Sequence, residues 1–237
     1  MKDNLAPEYQ RRIRGLFKET NKLFKDISFG AHKNIITSTV PFMVLEKWRE
    51  DGHSSDIPLL DEAVKNVVLA TAALFFGWTK TSCLHLRVVL ENVFSGVSLL
   101  MSPRSLSAYS SRGVITYKRF KDLVVDYEKA NTTLTKICHK FNVKSDALNL
   151  YSDLSNWSHT LGSEFVCDLS ILGHSKLNNA TIGKMKTYFQ TLVRVSSIVY
   201  LSAMPNMFGN ISQSHQRLFL GYISKEERKL LREMTGL

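Results

Sequence analysis

Turn punctuation is scarce in this chain. Its 237 residues hold 12 Gly and 5 Pro, too few turn signals for a β-sandwich or barrel of this length. Long apolar runs are missing too. The nearest candidates, residues 67–78 and 192–204, fall short of the roughly 18 residues a membrane-spanning helix needs, and Arg194 interrupts the second. The opening stretch MKDNLAPEYQRRIRGLF is polar and charged where a secretory signal carries its apolar segment. The expectation is a cytoplasmic protein without membrane contact. Cysteine is sparse: Cys83, Cys138 and Cys167 are far apart and form no CxxC pair, which argues for reduced thiols acting as small hydrophobes rather than for disulfides or zinc ligation.

Signature motifs are absent as well. There is no GxxxxGK[ST], no GxGxxG, no HExxH and no GxSxG, which removes the common phosphate-loop, dinucleotide, zinc-protease and hydrolase readings. No two of the seven histidines stand four apart, the spacing of a helical metal pair. Neither a metal nor a cofactor is expected. No repeat of 20–50 residues and no sustained heptad pattern is found, which excludes solenoids and coiled coils.

What is present is positive charge and helical periodicity. The net charge is +10, with a pI near 9.5, and it is unevenly spread. Residues 102–144 carry nine Lys and Arg against three Asp and Glu, and so do residues 176–237; residues 145–175 carry four acids and no base. A surface of this kind suits a polyanion such as RNA, DNA or an acidic protein face. It also serves solubility alone, and both readings stand. The basic clusters at Arg11, Arg12 and Arg14, and at Lys118, Arg119 and Lys121, are the candidate nucleic-acid contacts.

Apolar residues recur at helical spacing. They predict basic helices within residues 7–50, a largely buried helix from about 56 to 75, another over 81–101, one long basic helix over 115–141, and a shorter one over 146–161. A connector at 164–173 and a long helix from 181 to 203 follow, and then a less regular tail. Ser224 and Glu227 have capping-box spacing, which starts a C-terminal helix over 224–235. The chain reads as one all-α domain, residues 1–237, with its core bundle at about 58–205.

Two segments carry candidate chemistry. In LHLRVVLENVF, residues 84–94, Arg87 and Glu91 stand four apart among apolar neighbours and can pair on one helix face. The pair is either an intrahelical ion pair that rivets the bundle or a guanidinium held toward a site. In YSDLSNWSHTLG, residues 151–162, Ser155 and His159 stand four apart beside Asn156. His159 either binds the last carbonyls of its helix or moves a proton at a ribose hydroxyl or leaving group.

Together these segments resemble the HEPN superfamily, in particular its prokaryotic branch with an RxxxE helix followed by an SxxxH helix. Here those are Arg87–Glu91 and Ser155–His159, about 70 residues apart, within a region of likeness over residues 58–200. The resemblance implies an antiparallel helical bundle, often a homodimer, and a role in prokaryotic antiviral defence or toxin systems, where many members are metal-independent endoribonucleases. Their usual Rx4-6H signature is missing from this sequence, so activity requires Arg87 to supply the phosphate-binding arginine from a different helix. On that reading Arg87 binds the scissile phosphate, Glu91 orients it, His159 is acid or base, and Asn156 or Ser155 adds a hydrogen bond. The alternative is a non-catalytic basic helical module that binds RNA or a partner effector protein in a defence complex. A third reading is an assembly subunit that docks through its apolar faces.

Overall fold

The densest apolar stretch of the sequence becomes the axis of the fold. In the computed structural model, which describes residues 58–75, 78–101, 119–130, 132–159, 179–203 and 213–235, eight helices are defined: α1 (Pro58–Phe75), α2 (Thr79–Met101), α3 (Phe120–Lys129), α4 (Thr132–Phe141), α5 (Val143–His159), α6 (Asn179–Ala203), α7 (Gln213–Leu220) and α8 (Lys225–Thr235). Among the described residues there is no strand, and no helix is long and apolar enough to cross a membrane. The expected helices at 7–50, the connector at 164–173 and Cys167 lie outside the described residues.

Helix α2 is central because most of its circumference is apolar. Leu86, Val89, Leu90, Val93, Phe94 and Val97 are wholly buried, and α2 packs against α1, α3, α5 and α6. Residue pairs fix the directions. Helices α1 and α2 form a hairpin in which the Asn66 side chain meets His85 Nδ1 at 2.7 Å. Burial lowers the pKa of His85. The Trp78 N–H reaches back to the Ala73 carbonyl at 2.8 Å, a bond six residues round that closes a helix C-terminus. Helix α1 therefore closes before Trp78, and α2 begins at Thr79. Helix α6 runs antiparallel to α5, with Tyr188 beside Asp153 and Arg194 beside Asp146. It runs parallel to α2: Cys83 Sγ lies 3.7 Å from Met185 Sδ, and Tyr127, which packs on Phe94, donates to the Val199 carbonyl.

The expected single helix over 115–141 is two helices. Ala130 caps α3 by donating to the Tyr127 carbonyl at 3.2 Å. Thr135 Oγ1 donates to the Glu128 carbonyl at 2.6 Å, so a side chain of α4 takes a carbonyl that a continuous helix would use internally. The Asn131-Thr132-Thr133 stretch favours this break, because such side chains compete for backbone hydrogen bonds. Glu128 then holds Lys144 at 2.5 Å and His139 at 3.3 Å. Helix α4 ends at Asn142, whose φ of 55° is the left-handed C-terminal cap that asparagine tolerates. The tail is also more regular than expected, since residues 213–220 form α7.

Arg194 joins the second half of the fold. It lies in the apolar run of α6, with its side chain 23% exposed. Its Nη1 donates to Asp146 Oδ2 at 2.5 Å, its Nη2 to the Phe141 carbonyl at 2.7 Å, and its Nε to Glu227 Oε1 at 2.9 Å. Four helices thus meet on one guanidinium. Glu227 is nearly sealed, and its other oxygen accepts the Ser224 N–H at 2.8 Å while the Glu227 N–H donates to Ser224 Oγ at 3.1 Å, the capping box expected from the sequence. Removing one partner of such an enclosed pair strands the other. Arg194→Met is expected to lower the unfolding free energy by about 3 kcal/mol, read as a reduced urea midpoint. Adding Glu227→Gln should recover part of that loss.

Candidate functional site

Arg87, Glu91 and Phe94 recur at i, i+4 and i+7 along α2, so one stripe of that helix carries the ion pair and then an aromatic ring. Arg87 Nε donates to Glu91 Oε1 at 3.2 Å, and the two side chains are 25% and 27% exposed. The pair is not sealed in the core. The same Glu91 oxygen accepts Tyr151 Oη of α5 at 2.8 Å, and the Arg87 guanidinium carbon lies 4.8 Å from the Tyr151 ring centroid, a cation–π arrangement. The RxxxE helix and the SxxxH helix are therefore joined side by side.

Tyr151 also ends an aromatic column. Its ring stacks on Phe120 at 4.3 Å and an interplanar angle of 14°. Phe120 meets Phe94 edge-on at 5.3 Å, and Phe94 meets Tyr127 edge-on at 5.4 Å. Phe120 is the first residue of α3 and stands between Arg119 and Lys121, both exposed. One half of the basic cluster thus lies a single ring contact from the Arg87–Glu91–Tyr151 group. Two exposed cations at a helix N-terminus add to the positive end of the helix dipole, which favours an anion there.

The other candidates fall as follows. Asn156 is partly exposed. Ser155 is partly exposed too, but its Oγ is enclosed and has no hydrogen-bond partner among the described residues. Ser158 Oγ donates to the Ser155 carbonyl at 2.9 Å. His159 is the last residue of α5; its side chain lies outside what the structure describes, as do Arg11, Arg12, Arg14 and Lys118. Because α5 runs antiparallel to α2, residue 159 is two turns beyond Tyr151 toward the start of α2, about 12 Å along the axis. Among the described residues, no three His, Cys, Asp or Glu side chains gather as metal ligands.

Tyr151 opens the YSDLSNWSHTLG segment, but its spacing alone assigns it no role. An aromatic hydroxyl one turn before Ser155, on a helix facing a charged pair, was the available signal. Compared with known families and proteins, the chain matches no family model, no curated protein and no solved structure.

Burial first, then the hydrogen bond to Glu91 and its charge, push the Tyr151 hydroxyl up to about 12, with Arg87 opposing. Burial raises Tyr127, Tyr188 and Tyr200 in the same direction. A raised folded-state pKa contributes stability that is full below the unfolded value near 10 and is lost as pH climbs toward the folded one. The protein is therefore expected to lose stability progressively as pH rises above about 10. Tyr151→Phe should remove one of these four contributions and make the decline shallower in urea titrations, while costing about 1 kcal/mol at neutral pH.

Proposed function

We propose that this chain is a HEPN-like effector or accessory protein of a prokaryotic antiviral defence or toxin system, acting on RNA in the cytoplasm. The supporting observation is the convergence at Tyr151. The Arg87–Glu91 helix, the Ser155–His159 helix and the basic start of α3 meet there through one hydrogen bond, one cation–π contact and one ring stack. Such a convergence provides a cation at a partly exposed surface and further cations at Arg119 and Lys121. RNA recognition uses such cations for phosphate.

In the catalytic form of this reading Arg87 takes the scissile phosphate, Glu91 orients it, and His159 moves the proton with Asn156 or Ser155 assisting. Cleavage should then proceed in a chelator and vanish in His159→Ala with helical content unchanged. RNA degradation that continues at the parent rate in that variant would exclude His159 as acid or base.

One observation favours the non-catalytic module instead. Arg87 is engaged by its own Glu91 and by Tyr151, and residue 159 lies two turns away along α5. On this reading the bundle holds RNA, or an effector that carries the enzymology, through its basic helices. The double reversal Arg119→Glu/Lys121→Glu should then weaken RNA binding and reduce the slope of log affinity against log salt by about 1.4, some 0.7 for each phosphate no longer neutralised, while His159→Ala leaves binding unchanged. A salt slope that stays at the parent value in the double reversal would exclude those two cations as contacts.

A further inference from the structure

The candidate clusters at Arg11–Arg14 and Lys118–Lys121 are not the sole cationic groups, because among the described residues a further row of cations lies on α8. We propose that the outward face of α8 is a strip that binds the phosphodiester backbone of single-stranded nucleic acid. Lys225, Arg228, Lys229 and Arg232 stand at i, i+3, i+4 and i+7, which brings them onto one helix face over about 10 Å of axis. With Glu233 they line one shallow hollow built from this helix alone.

Three features separate this strip from an ordinary solvated face. Of the two carboxylates within its span, Glu227 is turned inward, where Arg194 and the Ser224 N–H occupy it, and the exposed Glu226 lies at the edge of the row, one residue round the helix from Lys225. Lys225 and Arg232 have no carboxylate partner among the described residues, and Lys229 meets Glu233 only at 3.8 Å with both side chains well exposed, an ion pair of small worth that a phosphate displaces. The helix beneath is also fixed before any ligand arrives, by its capping box, the Arg194 bond and buried Leu231, so little ordering remains to be done on binding. Because the hollow is open and one-sided, it suits a chain lying along the helix rather than an enclosed small anion. Helix α8 packs on α4, whose exposed Lys136 and Lys140 add to the local positive potential.

This inference shares with the proposed function the premise of a nucleic-acid ligand, but not cleavage and not the Tyr151 cluster. Fluorescence anisotropy on the full chain tests it, with labelled oligouridylate, the matching oligodeoxythymidylate and polyglutamate as probes over a salt series. Lys225→Gln/Lys229→Gln/Arg232→Gln is expected to lower the magnitude of the salt slope by about 2, some 0.7 for each phosphate released, and to weaken both oligonucleotides about tenfold at moderate salt. Glu233→Gln, which removes the competing carboxylate, should tighten both. RNA and DNA affected alike support a backbone strip. An unchanged slope in the triple variant, with its helical content intact, overturns the α8 assignment while leaving the proposed function standing. Failure of the parent protein to bind either oligonucleotide overturns both. Polyglutamate bound as tightly as the oligonucleotides and released by the triple variant overturns the strip in favour of an acidic protein partner.

Discussion

A guanidinium withdrawn from water in the middle of an apolar helix sets the terms for half of this fold. Taking a charge out of water costs several kcal/mol unless partners replace its hydration shell. Arg194 obtains that replacement from Asp146 at the start of α5, from the Phe141 carbonyl at the end of α4, and from Glu227 in the first turn of α8. None of these partners is local in sequence, so satisfying the charge requires three helix ends to arrive at one point of α6. The left-handed Asn142 between α4 and α5 belongs to the same constraint, because the tight turn there presents the Phe141 carbonyl and the Asp146 carboxylate to the same side chain.

The orientation of α8 follows from that point. Glu227 spends one oxygen on Arg194 and the other on the Ser224 N–H, so one of the three carboxylates of α8 is drawn inward, leaving Glu226 and Glu233 exposed beside four cations. What remains outside is mostly Lys and Arg. A local feature of the polypeptide, a capping box, thereby decides the electrostatics of a surface, because helix rotation and helix anchoring are set by the same carboxylate.

Elements with strong local signals were legible in the sequence. The buried character of α2 followed from its apolar density, and the start of α8 from Ser224 and Glu227. The i, i+4 pairing of Arg87 with Glu91 is likewise a property of one helix. What depended on distant partners was not legible. The break between α3 and α4 rests on Thr135 capturing the Glu128 carbonyl, a bond with no strong periodic trace. Helix α7 was missed because its apolar positions are too few to stand out from a loop. Arg194 was visible as an interruption in an apolar run, yet its three partners could be found only in space. The same holds for the site: Arg87, Glu91, Ser155 and His159 were readable as spaced pairs, whereas Tyr151 acquires its role from Phe120 and Glu91, 31 and 60 residues away along the chain.

The two arginines show why pairing alone does not separate a rivet from a binding group. Arg194 is as exposed as Arg87 but is held by three acceptors, one of them the enclosed Glu227, so an external anion displaces them only by loosening the helices they join. Arg87 shares its charge with a carboxylate that is about a quarter exposed and with an aromatic face. An i, i+4 pair open to solvent contributes only about 0.3–0.5 kcal/mol, and this pair is partly open. Being paired therefore does not disqualify Arg87 from binding, although it does orient the guanidinium in advance. The geometry limits the ligand instead. A molecule that touches both Arg87 at Tyr151 and the end of α5 has to extend over about 12 Å, a length of backbone chain rather than a single phosphate, and it would cross the face where Ser155 and Asn156 stand.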